Sequence, residues 1–147
     1  MPQTIDQTDG DMPMPEINTD KVCFVIAKAG ELEAEDEGIS ADDSNPTDDE
    51  STYILTEEAY GPISLELTAF IDSLDEDEQA ELVSLVWIGR GDYSARELRI
   101  AIAEAKARKE MKTSSYLRGI PLLSDYLKAG LAEFGLDCED FNSRSFK

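Results

Sequence analysis

The chain has 147 residues, and its 33 acidic and 13 basic side chains give a formal net charge of -20 at pH 7. This charge argues against nucleic-acid binding through phosphate neutralisation and against attachment to anionic lipid, because the long-range field repels both. The sequence contains no histidine. Ser-His-Asp and Cys-His catalysis in their usual form are therefore excluded, and zinc sites lose their imidazole ligands.

The compartment is predicted from what the sequence lacks. No stretch approaches the run of about 20 apolar residues that a bilayer-spanning helix needs, and residues 1–15 have neither the basic nor the apolar region of a signal peptide. We therefore expect the cytoplasm, where Cys23 and Cys138 remain reduced thiols. A chain of this length is expected to form one domain.

The first third of the chain is predicted as a disordered acidic leader, a helix and an acidic loop. Residues 1–18 are polar and Pro-containing and lack apolar periodicity, which indicates the leader. Thereafter four apolar residues share one helical face: Val22, Val25, Ile26 and Ala29. This helix is expected to end between Glu33 and Glu37. Residues 35–52 are acidic and contain Pro46, which predicts a loop.

The strongest helical signal begins at Pro62, after a weak helix that Gly61 and Pro62 interrupt. The next apolar residues follow helical spacing: Ile63, Leu67, Phe70, Ile71 and Leu74. Asp75 and Glu78 then stand at capping-box spacing. The segment 82–88 is apolar nearly all round, which predicts a helix buried on most sides at the centre of the core.

A further helix is predicted from the capping pair Ser94 and Glu97 to about Lys112, after a glycine-terminated turn at residues 89–92. Its two apolar faces are Leu98, Ala101, Ile102 and Ala105 on one side, and Ile100, Ala103, Ala107 and Met111 on the other. The helix is therefore either packed on two sides or carries a second apolar strip for a partner. Its six bases and three acids between residues 96 and 112 form either a docking strip for an acidic partner or a face toward the protein's own acids.

The C-terminal part is predicted as a short turn with Tyr116, a change of direction at residues 119–121, and a last helix before a flexible tail, 138–147. Tyr116 and Tyr126 flank that change of direction and either line a small groove or pack in the core. We expect an all-α fold of five or six helices in one domain, 19–137, with the acidic leader and loop disordered.

No motif in the sequence predicts a metal, a cofactor or a catalytic residue. The acidic runs 42–50 and 72–81 lack the ligand spacing and the glycine of an EF-hand calcium loop. Gly-rich phosphate-binding loops are also absent from the sequence.

Several stretches together carry a family resemblance. Two surround the central helix: Leu74-Asp75-Glu76-Asp77-Glu78-Gln79, and Leu82-Val83 followed by Trp87-Ile88-Gly89-Arg90-Gly91-Asp92-Tyr93. Three others are Lys21-Val22-Cys23-Phe24, Ser44-Asn45-Pro46 with Asp48-Asp49, and Ser115-Tyr116-Leu117 leading to Gly119 and Pro121-Leu122-Leu123-Ser124-Asp125-Tyr126-Leu127. Across residues 20–137 the chain thus resembles an uncharacterised proteobacterial family, domain of unknown function number three-seven-seven-five.

The resemblance implies a small, mostly helical bacterial protein and brings no activity, substrate or catalytic residue with it. Arg118 departs from the pattern, which has a more apolar residue there. Our leading hypothesis is a cytoplasmic, non-enzymatic protein-interaction module. The residues predicted to bind its partner are those that carry the resemblance: Trp87, Arg90, Gly91, Asp92, Tyr116 and Tyr126.

Two alternatives remain open. The acidic excess of residues 1–81 suits a mimic of nucleic acid that blocks a basic partner protein. A small enzyme that uses carboxylates in a deep helical cleft is the other. The partner is unknown, a basic protein is compatible with the charge, and the sequence does not determine the oligomeric state.

Overall fold

The computed structural model describes residues 12–42, 56–108, 110–139 and 141. Within these residues it contains six α-helices, one 3-10 turn and no strand. The elements are α1 (Thr19–Asp42), α2 (Thr56–Asp72), α3 (Glu76–Arg90), a 3-10 turn (Ala95–Glu97), α4 (Leu98–Ala107), α5 (Thr113–Arg118) and α6 (Leu123–Ala132). The predicted all-α class is confirmed. Predictions for residues 1–11, 43–55 and 142–147, which include much of the acidic leader and loop, lie outside the described residues.

Helix α3 is the centre of the fold, as its all-round apolar pattern predicts. Every residue from 80 to 88 is buried, and the Trp87 side chain is only 9% exposed. Helices α4 and α6 pack directly on α3, α1 packs on α6 and α2, and α5 lies against α2 and α3. The capping box predicted at the start of α3 is present: Glu78 N donates to Asp75 Oδ1 (2.8 Å) and Asp75 N donates to Glu78 Oε1 (3.1 Å).

The crossing of α3 and α6 depends on two glycines. A Cβ atom added to Gly89 would overlap the carbonyl oxygen of Tyr126, and one added to Gly130 would overlap the carbonyl oxygen of Leu85. The two helix backbones can approach this closely only because neither glycine carries a side chain.

Two helices differ in length from the sequence prediction. Helix α1 continues to Asp42, past the expected end between Glu33 and Glu37. Helix α4 ends at Ala107 rather than near Lys112, because Arg108 adopts extended backbone angles (φ -68°, ψ 132°).

The weak helix predicted before Pro62 is joined to the following helix as α2, with a kink at Gly61 (φ 70°, ψ -176°). Pro62 lacks the backbone donor that an uninterrupted helix requires.

The start of α6 is capped by another helix. Leu122 precedes it in the left-handed region (φ 61°), and the carboxylate of Glu33 on α1 accepts from Ser124 N (3.1 Å) and Ser124 Oγ (2.7 Å). Backbone N–H groups at a helix start lack intrahelical partners, so this carboxylate satisfies one of them across the bundle.

The segments that flank the helices are attached to the bundle. Residues 12–18, expected to belong to the leader, lie against α3, and Ile17 is buried. Cys23 on α1 and Cys138 form a disulfide, with their Cα atoms 5.7 Å apart. The prediction that both cysteines remain reduced is wrong in this structure. The two thiols meet because α1 and the segment after α6 pack side by side, which the spacing of 115 residues conceals.

Candidate functional site

Five of the six residues predicted to bind a partner lie close together at the C-terminal end of α3. With two neighbours they form what we call the Trp87 cluster: Trp87, Arg90, Gly91, Asp92, Tyr93, Arg108 and Tyr116. The cluster joins the end of α3, the turn before α4, the residue after α4 and helix α5.

The aromatic side chains of the cluster are joined by one hydrogen bond and one ring stack. Trp87 Nε1 donates to the hydroxyl of Tyr116 at 3.0 Å, across 29 residues of sequence. The ring of Tyr93 stacks on the indole with centroids 5.7 Å apart and an interplanar angle of 23°. The buried indole N–H thus has the acceptor that burial of a tryptophan requires.

The turn after α3 is closed by Arg90, Gly91 and Asp92. Gly91 adopts the left-handed conformation (φ 96°), and Asp92 N donates to the carbonyl of Trp87 (2.8 Å). Arg90 Nε and Nη2 both donate to Asp92 Oδ2, at 2.9 and 2.7 Å. The Asp92 carboxylate, and then Tyr116, raise the pKa of the Arg90 guanidinium, which stays charged. This pair connects the two sides of the turn.

Arg108 completes the cluster from the other end of α4. Its guanidinium lies over the Tyr116 ring, 3.9 Å from the ring centroid, a geometry in which the ring quadrupole attracts the cation. Contacts of the cluster therefore hold the chain ahead of the 3-10 turn that precedes α4, through Asp92 and Tyr93, and immediately after α4, through Arg108. No sequence signal marks Arg108 for this role, since the contact depends on where α5 packs.

Tyr126 is not part of the cluster contacts. It lies half-buried on α6, where its backbone carbonyl faces Gly89 at the α3–α6 crossing. A cavity of about 290 Å³ does lie at the change of direction formed by residues 119–121, but its walls come from α1, α2, Arg118 and Leu123. Neither tyrosine lines it.

The second apolar strip predicted on α4 is exposed. Three of its members, which we call the outer strip, lie on one exposed face of α4: Ile100, Ala103 and Ala107. Met111, predicted to continue this strip, is exposed but lies beyond the end of α4, so the helix does not place it on that face. The side chain of Ile100 is 56% exposed and that of Met111 is 53% exposed. The opposite face buries Leu98, Ala101 and Ala105 against the core. Of the two readings of this helix, the structure therefore supports a single packed side and an open apolar strip.

The bases near the outer strip divide into two groups. Lys106 pairs with Asp77 on α3, and Lys112 pairs with Asp72 on α2 (3.5 Å), so these two face the protein's own acids. Arg96 and Arg99, at the start of α4, are exposed and form no ion pair within the described ranges. The exposed acids Glu97 and Glu104 lie in the same stretch, so residues 96–104 carry no net charge.

One buried carboxylate attaches the first described segment to the core. Glu81 is 6% exposed, and its Oε1 accepts from the backbone N–H groups of Glu16 (2.9 Å) and Ile17 (2.6 Å). Burial raises the pKa of Glu81, and the two N–H donors oppose that shift. Glu81 also lines a cavity of about 260 Å³. Its engaged oxygen holds backbone, so the contact attaches the chain instead of providing a free catalytic carboxylate.

Glu81 could have been noticed as the single acid in a run of residues that is otherwise apolar or small. Its partner could not have been found, because Ile17 is 64 residues away. Among the described residues no group of three or more His, Cys, Asp or Glu side chains is placed to hold a metal ion. None of the described helices is long and apolar enough to cross a membrane.

The described residues form a small all-α architecture around a central helix that is buried from residue 80 to residue 88. Residues 64–136 match the family described as "Protein of unknown function (DUF3775)". The match runs from within α2 to just after α6 and confirms the family resemblance over these residues, whereas the resembling stretches at residues 21–24 and 44–49 lie outside it. No curated protein and no solved structure matches the chain.

Proposed function

We propose that this protein is a non-enzymatic protein-interaction module whose contact surface is the outer strip of α4. The observation that carries the proposal is the exposure of Ile100 on the same helical face as the exposed Ala103 and Ala107. Single exposed aliphatic residues are ordinary on protein surfaces, whereas a continuous apolar strip on one helix is characteristic of an interaction site.

The shape of the strip supports helix docking. The small side chains of Ala103 and Ala107 follow the larger Ile100 along this face and leave the α4 backbone accessible there. A partner helix can therefore approach closely at the centre of the strip and place larger side chains beside the alanines. Ile100 is the residue with most apolar area to bury, so we expect it to dominate the binding energy.

The Trp87 cluster supports this surface in our proposal. The predicted binding residues Trp87, Arg90, Asp92 and Tyr116 are engaged with one another, and their contacts hold the residues on either side of α4. A helix held at both termini presents its strip without further ordering, which reduces the entropic cost of binding. We assign these residues an indirect role, and Tyr126 a packing role on α6.

The experiment is site-specific photo-crosslinking in the cells that produce the protein. A photo-reactive phenylalanine analogue in place of Ala103 should crosslink this protein to its partner and give an adduct of one defined mass. Adding Ile100→Lys to the same chain should abolish that adduct. The matched control places the analogue at Ala129, an exposed alanine on α6, where no such adduct is expected. Equal adducts from both positions, or none from Ala103, would contradict the proposal.

A cytoplasmic location is also part of the proposal. It requires that the Cys23–Cys138 disulfide of this structure is a reversible bond that forms on oxidation, because the cytoplasm keeps most thiols reduced. Rapid alkylation of intact cells, followed by mass measurement, counts the free thiols. Two alkylated cysteines support this location, and a complete disulfide in unstressed cells argues for an oxidising compartment.

A further inference from the structure

We propose that the cavity between α1, α2 and the turn from α5 to α6 binds a small zwitterion with an aliphatic body, the chemical class of an aliphatic amino acid. No residue of the outer strip lines this cavity, so the inference goes beyond the proposed function and does not depend on it. It follows from the shape of the cavity, from the charged groups in its wall and from the backbone of the turn.

The cavity has a buried apolar end and an exposed rim. Its volume is about 290 Å³, at the lower end of the roughly 300–1,000 Å³ that is typical of small-molecule sites. The lining residues Ala29, Leu67 and Leu123 are buried, whereas Gly119 and Pro121 are exposed at the turn. A short aliphatic chain can therefore enter at the turn and replace water at the apolar end.

The described wall of the cavity contains one acid and one base. Glu33 belongs to α1, Arg118 is the last residue of α5, and the other described lining residues are apolar or glycine. The charges of this wall therefore sum to zero. An occupant with a single charge would meet one favourable and one like-charged group, whereas an occupant with one charge of each sign can pair with both.

Both charged groups have the capacity to bind a ligand in addition to their present contacts. The carboxylate of Glu33 is held in place by Ser124, whose N and Oγ donate to Oε2 (3.1 Å) and Oε1 (2.7 Å). Each carboxylate oxygen can accept a second hydrogen bond, and a guanidinium group has five donors. An ammonium group can therefore bind at Glu33 beside Ser124, and a carboxylate can bind at Arg118.

The charge of the whole chain disfavours a simple anion as the ligand. With a net charge of -20, the protein repels anions over long distances, and Arg118 would repel a simple cation within the cavity. A zwitterion has no net charge, so the long-range field does not oppose its approach.

The turn beside the cavity has an uncommon backbone conformation. Leu122 lies in the left-handed region (φ 61°), which is unfavourable for a residue with a Cβ atom. The residues on both sides of it, Pro121 and Leu123, line the cavity. Strained backbone persists only where the surrounding structure fixes it, and it is concentrated at ligand sites. The strain thus lies at the same place as the cavity and its two charges.

The direct test compares three ligands of similar shape by NMR on the full chain. L-Leucine carries both charges, 4-methylpentanoate lacks the ammonium group and 3-methylbutylamine lacks the carboxylate. We expect leucine to shift the amide resonances of residues 29–33 and 117–124 in a saturable manner. The other two ligands should bind at least about tenfold more weakly, because a site that pairs a polar group discriminates against an analogue without it.

Variants of Arg118 separate the two charged contacts. Arg118→Gln removes the partner of the carboxylate, so the affinity for leucine should fall about tenfold while that for 3-methylbutylamine changes by less than about twofold. Arg118→Lys keeps a cation and should retain most of the affinity for leucine. The matched control is Arg96→Gln, which makes the same change of net charge at an exposed position of the 3-10 turn, outside the cavity.

Leucine binding that is weakened in Arg118→Gln but unchanged in Arg96→Gln and largely kept in Arg118→Lys supports the inference. Absence of saturable shifts at these residues with leucine at tens of millimolar would overturn it. Equal affinities for leucine and 4-methylpentanoate, or equal effects of Arg118→Gln and Arg96→Gln, would overturn it as well. None of these variants alters the outer strip, so photo-crosslinking at Ala103 tests the proposed function separately.

Discussion

The backbone N–H of Ile17 donates to Oε1 of Glu81 at 2.6 Å, and both residues are buried. This hydrogen bond joins a segment outside the helices to the middle of the central helix. It explains why a carboxylate is tolerated in the most apolar part of the sequence: it accepts backbone donors that the core would otherwise leave without partners.

Glu81 should make stability depend on pH in a definite direction. Because burial raises its pKa in the folded state, the folded protein binds the proton more tightly than the unfolded chain. The cost of the buried charge is therefore fully present above the raised pKa and decreases as the pH falls toward the unfolded value. Urea denaturation should show wild type gaining stability relative to Glu81→Gln between pH 7 and pH 4.5. A difference that stays constant or moves the opposite way would contradict this account.

Removing the acceptor should cost more than removing the charge. Glu81→Ala leaves the N–H groups of Glu16 and Ile17 without their acceptor, which should lower the unfolding free energy by about 1–3 kcal/mol. Urea denaturation at pH 7 measures this change. Glu133→Gln, at an exposed position on the same bundle, is the control and should stay within about 0.5 kcal/mol of wild type.

Gly130→Ala should destabilise the protein by about 2 kcal/mol or more, because its Cβ would overlap the backbone of Leu85 and separate α3 from α6. Gly30→Ala is the matched control, since a Cβ at Gly30 in α1 would meet no atom within 4 Å. That change should stabilise the protein by up to about 1 kcal/mol, because alanine has the higher helix propensity. Thermal denaturation measures the change in stability of both variants. Similar changes in the two would contradict the close approach of α3 and α6.

Tyr116→Phe should cost about 1–3 kcal/mol, because it leaves the buried N–H of Trp87 without an acceptor. We expect a changed tryptophan emission spectrum along with the lower stability. Tyr126→Phe serves as the control, since the hydroxyl of Tyr126 has no hydrogen-bond partner among the described residues. Indistinguishable emission from wild type and Tyr116→Phe would show that the cluster does not form in solution.

Reduction of the Cys23–Cys138 disulfide should lower the unfolding free energy by about 4 kcal/mol, because the bridge closes a loop of 115 residues and restricts the unfolded chain. Urea denaturation with and without dithiothreitol measures the difference. The double variant Cys23→Ser, Cys138→Ser should be insensitive to the reductant. Two free thiols titrated in the unreduced, unfolded protein would show that the bridge is absent.

Much of the secondary structure follows from signals that act over a few residues. The capping pair Asp75 and Glu78 and the glycine at position 91 begin and end α3 where the sequence predicts. Local helical preference does not predict the end of α4. The apolar spacing continues toward Lys112, but Arg108 leaves the helix and its guanidinium lies over the ring of Tyr116. The candidate site follows the same rule. The apolar spacing on α4 is visible in the sequence, but which apolar face remains exposed depends on how α4 packs on α3.

By itself the sequence determined the helical class and the burial of the segment around Trp87, since periodicity and capping act within one or two turns of chain. Only the tertiary structure decided which side of α4 faces solvent and which distant groups meet. Ile17 and Glu81 lie 64 residues apart, Glu33 and Ser124 lie 91 apart, and Cys23 and Cys138 lie 115 apart. Such contacts depend on how whole helices cross, and no local pattern encodes that geometry.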